Sequence, residues 1–153
     1  MCNQSIFKTN NSFETMTIQK VHDYLKNHDI RPLPHKVAIM KYLLERFDHP
    51  SIDQIYNDLL PSMPTLSKTT VYNTLKLFGD KKAVLSLFID EKNMRYDAHT
   101  HAHAHFRCKK CSTIYDISIE ETDIPPFRGS EDFLPEETQI YFLGACGECR
   151  MMA

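Results

Sequence analysis

Long apolar runs are missing from this 153-residue chain. The longest is AVLSLFI at residues 83–89, far short of the roughly 20 residues that cross a bilayer, and it suits a strand better. Only four glycines are present, so there is no glycine-rich loop, and no nucleophile motif or additional general base accompanies them. We therefore expect no membrane partner, and nothing in these features favours an enzyme.

We also expect no secretory leader. The N-terminal residues MCNQSIFKTNNSFETM contain no basic start followed by an apolar core. We expect a cytoplasmic protein, in which thiols stay reduced and paired cysteines indicate a metal site or catalysis before a disulfide. Of the five cysteines, Cys2 stands alone and the other four form two Cys-x-x-Cys pairs.

A strong charge of either sign is absent, since the net charge is −2. Residues 1–90 carry 11 basic and 9 acidic side chains, a balance of +2, whereas residues 91–153 carry 7 and 11, a balance of −4. The whole chain is no obvious binder of polyanions. The mild asymmetry permits a first half that faces nucleic acid, without requiring one.

Apolar side chains spaced by three and four residues predict helices near residues 17–28, 34–47, 51–60 and 67–80. Ser67 is a good N-cap for the last helix, and Gly79 is expected to end it. The strand-like segments AVLSLFI and MRYDA then flank a turn at residues 90–93, which predicts a hairpin. Further strands are expected through the His/Ala tract and at residues 113–117 and 138–145, with a loop or short helix at 121–137.

These elements predict an α+β chain. Residues 1–90 are expected to form a winged helix-turn-helix domain and residues 99–153 a small α+β domain, with the boundary between them near residues 88–98. In the last helix, Val71, Leu75 and Phe78 share one face and should be buried. Thr69, Asn73 and Lys76 lie opposite, with Tyr72 at the edge, and such side chains suit a DNA major groove. The alternative is an amphipathic helix with an ordinary solvated face. The candidate DNA contacts are Ser67, Thr69, Thr70, Tyr72, Asn73 and Lys76.

The two cysteine pairs, Cys108-x-x-Cys111 and Cys146-x-x-Cys149, have the spacing of a structural zinc site. Each pair can place both sulfurs on a tight turn, and two turns complete a tetrahedral shell of four thiolates around Zn²⁺. Thioredoxin-like redox chemistry is a weaker interpretation, because it needs one pair in a βαβ context. An iron–sulfur cluster is a third interpretation.

Four histidines alternate with other residues just before the first cysteine pair. In a strand, His99, His101, His103 and His105 would share one face with Asp97, while Ala102 and Ala104 would lie on the other. A face of imidazoles with a carboxylate suits Fe²⁺, Mn²⁺, Zn²⁺, Co²⁺ or Ni²⁺. The alternative is a surface strand whose histidines have no role.

In combination, these residues resemble the ferric uptake regulator (Fur) family from about Val21 to Cys149. The resemblance is carried by FDHPSIDQIY, SKTTVYNTLKLF, RYDAHTHAHAHFRCKKCSTIYDI and IYFLGACGECR. It implies a homodimeric repressor that binds double-stranded operator DNA, with a structural zinc, a hinge at residues 91–98 and a dimerisation domain at residues 99–153. It also implies a regulatory metal site at His49, Asp97, His103, His105 and Asp116. One ion bound to both halves would fix their angle and so the spacing of the two recognition helices.

The resemblance is strongest to the peroxide-sensing branch of the family. That branch has an aspartate after the first cysteine pair, here Asp116, where iron sensors have a glutamate. A further site of iron sensors would need a histidine and an acid where this chain has Ala102 and Ala104. The branch implies a regulatory Fe²⁺ or Mn²⁺, with peroxide and Fe²⁺ leading to oxidation of His49 or His103.

Three alternatives stay open at this point. The first is an iron- or zinc-responsive repressor of the same family. The second is a metalloenzyme built on the His/Asp cluster. The third is a zinc-ribbon interaction module, which leaves the TTVYNTL helix and the hairpin without a purpose. His99 and His101 fall outside the family's site as aligned here. We expect them to have no role, and the alternative is a secondary, low-affinity metal site.

Overall fold

The structure is a computed structural model in which residues 16–124, 126–129 and 132–151 are described. The described residues form two compact units, the first ending at Thr100 and the second beginning at His101. Within the described residues, no helix is long and apolar enough to span a membrane.

The first unit begins with four helices that match the predicted positions. Each starts where the sequence offers a capping signal: the side chains of Thr17, Ser51 and Ser67 accept backbone N–H groups, and a proline opens the second helix. The helices are α1 (Ile18–Asn27), α2 (Pro34–Leu44), α3 (Ile52–Leu59) and α4 (Lys68–Asp80). The predicted inner face of α4 is confirmed, since Val71, Leu75 and Phe78 are fully buried.

The prediction that Gly79 ends α4 is wrong. The helix continues through Asp80, and the left-handed residue that stops it is Lys82, with φ 54°. The N–H of Ala83 donates to the carbonyl of Phe78 (2.8 Å), and the N–H of Lys82 donates to that of Gly79 (2.9 Å). These are the two hydrogen bonds of a Schellman motif, and together they hold a lysine in a conformation that usually selects glycine.

A two-stranded hairpin follows the helices, as predicted. Strand β1 (Leu85–Leu87) pairs antiparallel with β2 (Arg95–Asp97), with Ser86 opposite Tyr96. Helices α3 and α4 followed by this hairpin form a winged helix-turn-helix arrangement. Its core is formed by the buried faces of α1, α2 and α4 together with Ile55, Val84 and Tyr96.

The second unit is built on a three-stranded sheet in the order β4-β3-β5. Strand β3 (Ala104–Cys108) pairs antiparallel with β4 (Ile114–Ile117) and parallel with β5 (Tyr141–Gly144). A 3-10 turn at Glu121–Asp123 and a short helix α5 (Gly147–Met151) complete it. The buried apolar side chains described in this unit are Ala104, Ile114, Cys108 and Cys149, which is a very small core.

The expected strand through the whole histidine tract is wrong. Strand β3 begins only at Ala104, so the alternation argument does not apply to His99 or His101. Near the strand's start, the His103 ring bonds through Nδ1 to the carbonyl of His101 (2.7 Å), a local side-chain contact that a regular strand does not make.

Candidate metal centres and DNA-facing helix

The two cysteine pairs meet in the second unit because of how the sheet is connected. Cys108 ends β3 and Cys111 lies in the turn before β4, while Cys149 lies in α5 and Cys146 just before it. Parallel pairing places Cys108 opposite Gly144, so the chain leaves β5 beside the β3–β4 turn. The second pair therefore begins a short helix rather than forming the tight turn expected from its spacing.

The geometry of the four sulfurs fits a tetrahedral metal. None of the four cysteines forms a disulfide, and their Sγ atoms lie within 4.8 Å of one another. Zn–S bonds of about 2.3 Å at tetrahedral angles place sulfurs about 3.8 Å apart. The Sγ atoms of Cys111 and Cys146 are 3.9 Å apart. A disulfide would require roughly 2.0 Å, so this is the geometry of ligands and not of a redox bond.

Backbone donors favour the thiolate form that a metal requires. Burial raises the pKa of the Cys108 thiol, but N–H groups of Cys111, Cys146 and Lys110 outweigh burial and hold the pKa below its ordinary value. One of these donors, the N–H of Cys146, lies 3.3 Å from Cys108 Sγ. The Lys110 ammonium donates to the carbonyl of Cys149 at 3.1 Å, which links the two cysteine segments.

A second group of donors gathers on the other end of β3. The β3–β4 register places His105 directly opposite Asp116, so their side chains share a face of the sheet. Asp116 Oδ1 lies 3.7 Å from His105 Nε2 and 3.5 Å from His103 Nε2. The two imidazole Nε2 atoms are 3.0 Å apart. Neighbouring ligands on bonds of about 2.1 Å are about 3.0 Å apart at right angles and about 3.4 Å apart at tetrahedral angles, so the three atoms are close enough together to bind one ion.

The first unit holds a separate pair of donors. His49 lies between α2 and α3 in the left-handed region, with φ 50°, although Pro50 follows it. Its Nε2 is 3.8 Å from Asp97 Oδ2, and both side chains are almost fully buried. Neighbouring contacts hold this loop to β2, because the Arg95 guanidinium donates to the His49 carbonyl (3.4 Å) and Tyr96 N–H donates to the Pro50 carbonyl (3.2 Å).

Around this pair, sequence reasoning missed Arg95 and expected no role for His99. Arg95 binds Asp90 through two N–H groups, at 2.9 and 2.8 Å, and also reaches Gln54 Oε1. The signal was available, because Arg95 and Asp97 are two apart in a strand and so share a face. His99, expected to have no role, lies with its Nδ1 3.0 Å from Asp97 Oδ1.

Helix α4 presents the expected polar face. Thr69, Tyr72, Asn73 and Lys76 are exposed, and Tyr72 leaves half of its surface open. Ser67 and Thr70 also have structural roles, since the Ser67 hydroxyl accepts the Thr70 N–H (3.0 Å) and lies 2.9 Å from Thr70 Oγ1. Next to them, Lys68, which sequence reasoning did not single out, pairs with Asp53 of α3 at 2.9 Å.

The chain matches the model of the ferric uptake regulator family over residues 27–126. It is 34% identical over 128 residues to the peroxide-responsive repressor PerR of Staphylococcus epidermidis, covering 82% of this chain and 85% of that protein. The fold is similar to the ferric uptake regulator Fur of Helicobacter pylori, with TM-score 0.68, 14% identity, and coverage of 88% of this chain and 95% of that one. It is also similar to a zinc uptake regulator complexed with zinc and DNA, with TM-score 0.66, 17% identity, and coverage of 88% and 93%.

The similarity to these two structures shows a shared fold. The family match and the 34% identity show common descent. The matched family and its relatives are transcriptional regulators, which sets aside the metalloenzyme interpretation. The chain belongs to the ferric uptake regulator family.

Proposed function

We propose that this chain is a homodimeric, metal-dependent transcriptional repressor that releases DNA when peroxide oxidises a histidine ligand of its regulatory iron. The observation that carries the proposal is the convergence of His103, His105 and Asp116 on one point of the second unit. The repressor assignment is supported by the identity to a peroxide-responsive repressor over most of the chain.

Two metals have different roles in this proposal. The structural ion is Zn²⁺ bound by Cys108, Cys111, Cys146 and Cys149, and it stabilises the second unit without leaving it. The regulatory ion is Fe²⁺ or Mn²⁺, and its five ligands follow the family resemblance. His49 and Asp97 come from the first unit, and His103, His105 and Asp116 from the second. Their imidazole and carboxylate donors suit these borderline ions better than thiolates would.

The DNA partner is proposed to be double-stranded operator DNA read by α4. Thr69, Tyr72, Asn73 and Lys76 are exposed on the face opposite the buried core, as groove-reading side chains must be. An asparagine can bond an adenine edge, and a lysine can bond a phosphate or guanine. Ser67 and Thr70 are retained as candidates for phosphate contacts, although the Ser67 hydroxyl already caps the helix and contacts the Thr70 hydroxyl.

The homodimer is supported by the edge of the second sheet. Strand β5 is an edge strand, and its Phe142 and Leu143 leave about half of their surfaces exposed, at 49% and 55%. Large exposed apolar side chains on a sheet edge favour pairing with another copy. Two copies related by a two-fold axis would present two recognition helices to a symmetric operator.

Peroxide sensing is the finer part of the proposal. When bound, Fe²⁺ supplies the one-electron chemistry that cleaves the O–O bond of hydrogen peroxide. Overall, a C–H of the His49 or His103 imidazole becomes a C–O bond, and the second peroxide oxygen leaves as water. An oxidised imidazole is a poorer ligand, so the ligand set loses affinity for the ion and the DNA-binding form is lost.

The test uses DNA selected from a random pool by the Mn²⁺-loaded protein. We expect binding with Mn²⁺ or Fe²⁺ and none after a chelator that spares the zinc. Peroxide should abolish binding only with Fe²⁺, and peptides holding His49 or His103 should gain one oxygen atom by mass spectrometry. If DNA binding responds to the metal but both peptides stay unmodified and binding survives peroxide, the protein is an iron- or zinc-responsive repressor instead.

A further inference from the structure

We propose that His99 is a positioning residue for Asp97, holding its carboxylate so that one defined oxygen is presented to the regulatory ion. This inference rests on the proposed function, in which Asp97 is a ligand. It assigns a role to a histidine that lies outside the family's ligand set, and it uses contacts within the first unit alone.

Two hydrogen bonds from one residue hold the same carboxylate oxygen. The backbone N–H of His99 donates to Asp97 Oδ1 at 2.8 Å, and His99 Nδ1 lies 3.0 Å from that oxygen. The other oxygen, Oδ2, is the one that faces His49 Nε2 at 3.8 Å. Asp97 is only 3% exposed, so water contributes little to the orientation of its carboxylate and protein donors must set it.

The His99 ring is itself held in place. It stacks on the Phe47 ring with centroids 4.3 Å apart and planes only 13° from parallel. Phe47 lies just after α2, close in sequence to His49, so one short segment carries both a proposed ligand and the support for His99. The stack sets the plane of the ring, and the hydrogen bond to Oδ1 selects the orientation in which Nδ1 faces that oxygen.

The chemistry of the pair defines the tautomer and the role. An ionised carboxylate accepts hydrogen bonds and donates none, so His99 Nδ1 carries the proton. That protonated nitrogen cannot also bind a metal, so through this atom His99 acts on Asp97 and not on the ion. Hydrogen bonds of this kind to ligating side chains commonly change metal affinity about 10- to 100-fold.

Two substitutions separate the hydrogen bond from the ring. His99→Phe keeps an aromatic ring that can stack on Phe47 and removes the donor. His99→Asn keeps an amide donor near the position of Nδ1 and removes the stacking ring. His22→Phe, on helix α1, is the matched control for loss of a histidine elsewhere, and Asp97→Asn tests the ligand itself.

Mn²⁺ affinity of the full, zinc-containing chain is the measurement, taken from the free Mn²⁺ signal in electron paramagnetic resonance. We expect His99→Phe to weaken Mn²⁺ binding by about 10- to 100-fold. The Mn²⁺ affinity of His99→Asn should lie within about threefold of that of the unsubstituted chain. His22→Phe should leave the affinity unchanged. Thermal unfolding without Mn²⁺ identifies the temperature at which every variant is folded for the titration.

The remaining outcomes separate the ligand role of Asp97 from the positioning role of His99. If Asp97→Asn binds Mn²⁺ as tightly as the unsubstituted chain, the proposed regulatory site is wrong. If Asp97→Asn is weak but His99→Phe is not, the ligand assignment stands and the positioning role is wrong. Equal weakening by His99→Phe and His99→Asn would also overturn the positioning role, because His99→Asn retains a hydrogen-bond donor and should then have kept the Mn²⁺ affinity.

Discussion

Replacing Cys111 with serine tests what holds the second unit together. The Cys111 side chain is only partly buried, and its Sγ lies 3.3 Å from Thr113 Oγ1 and 3.9 Å from Cys146 Sγ. A serine hydroxyl is similar in size and can still bond Thr113. Apart from any metal, the substitution should therefore cost no more than about 0.5 kcal/mol.

Loss of a zinc ligand predicts a far larger effect. A buried isoleucine such as Ile114 contributes about 1.5–3 kcal/mol, and each ordered residue costs about 1–2 kcal/mol of backbone entropy. A core of Ile114, Ala104 and two cysteines cannot offset that entropy for a sheet of three strands. A structural zinc contributes about 10–16 kcal/mol, so without it we expect the second unit to be unfolded at 25 °C.

Hydrogen exchange with mass spectrometry, together with zinc content, measures this outcome. The Cys111→Ser protein should lose its bound zinc. The amides of β3, β4 and β5 should then lose protection, while the amides of α1 and α4 keep theirs. Cys2→Ser is the control, because that cysteine belongs to neither pair. Strands that stay protected in a zinc-free Cys111→Ser protein would refute the reasoning.

Three further predictions concern the first unit. Phe78→Ala should lower the free energy of unfolding by about 3–5 kcal/mol in urea titrations, because Phe78 is fully buried in the core. Tyr72→Ala, on the opposite face of α4, should leave stability nearly unchanged and weaken DNA binding. The reverse pattern would contradict the assignment of a buried face and a DNA-binding face to α4. Lys76→Ala should reduce the slope of log affinity against log salt by about 1 if Lys76 binds a phosphate, whereas an unchanged slope excludes that contact. Burial raises the pKa of Asp48, but hydrogen bonds and charge from Arg46 lower it overall. The ionised carboxylate therefore stabilises the fold at neutral pH. That contribution disappears as the pH falls through the lowered pKa. Asp48→Asn should therefore cost about 0.5–1 kcal/mol at pH 7 and nothing at strongly acid pH, as checked by urea unfolding at both.

The helices could be predicted from the sequence because their signals are local. Ser51 and Gln54 form the capping box that their spacing indicates, and Ser67 caps α4. The exception is Gly79, where glycine suggested the end of the helix. The left-handed residue of the Schellman motif is instead Lys82, three residues later. A residue type that often ends helices locates the helix end less precisely than the hydrogen bonds that define it.

The metal donors were harder to predict, because their meeting depends on strand register. That Asp116 lies opposite His105 follows from the turn between β3 and β4, which periodicity does not specify. The alternation argument also treated all four histidines alike, although only His105 lies in a strand. The proposed role of His99 depends on its hydrogen bond to Asp97. The ring that donates this bond also stacks on Phe47, a contact between residues 52 positions apart that a local pattern cannot show.

The most direct measurement of a shared regulatory ion is a double-mutant cycle on Mn²⁺ affinity with His49→Ala and His105→Ala. One histidine belongs to each unit, so a shared ion predicts that each substitution alone weakens Mn²⁺ binding by more than about 100-fold and that the pair together does little further harm. DNA affinity at fixed Mn²⁺ should fall in parallel in all three variants. If instead the two losses add as independent effects, or one substitution leaves the affinity intact, the two units do not bind the same ion.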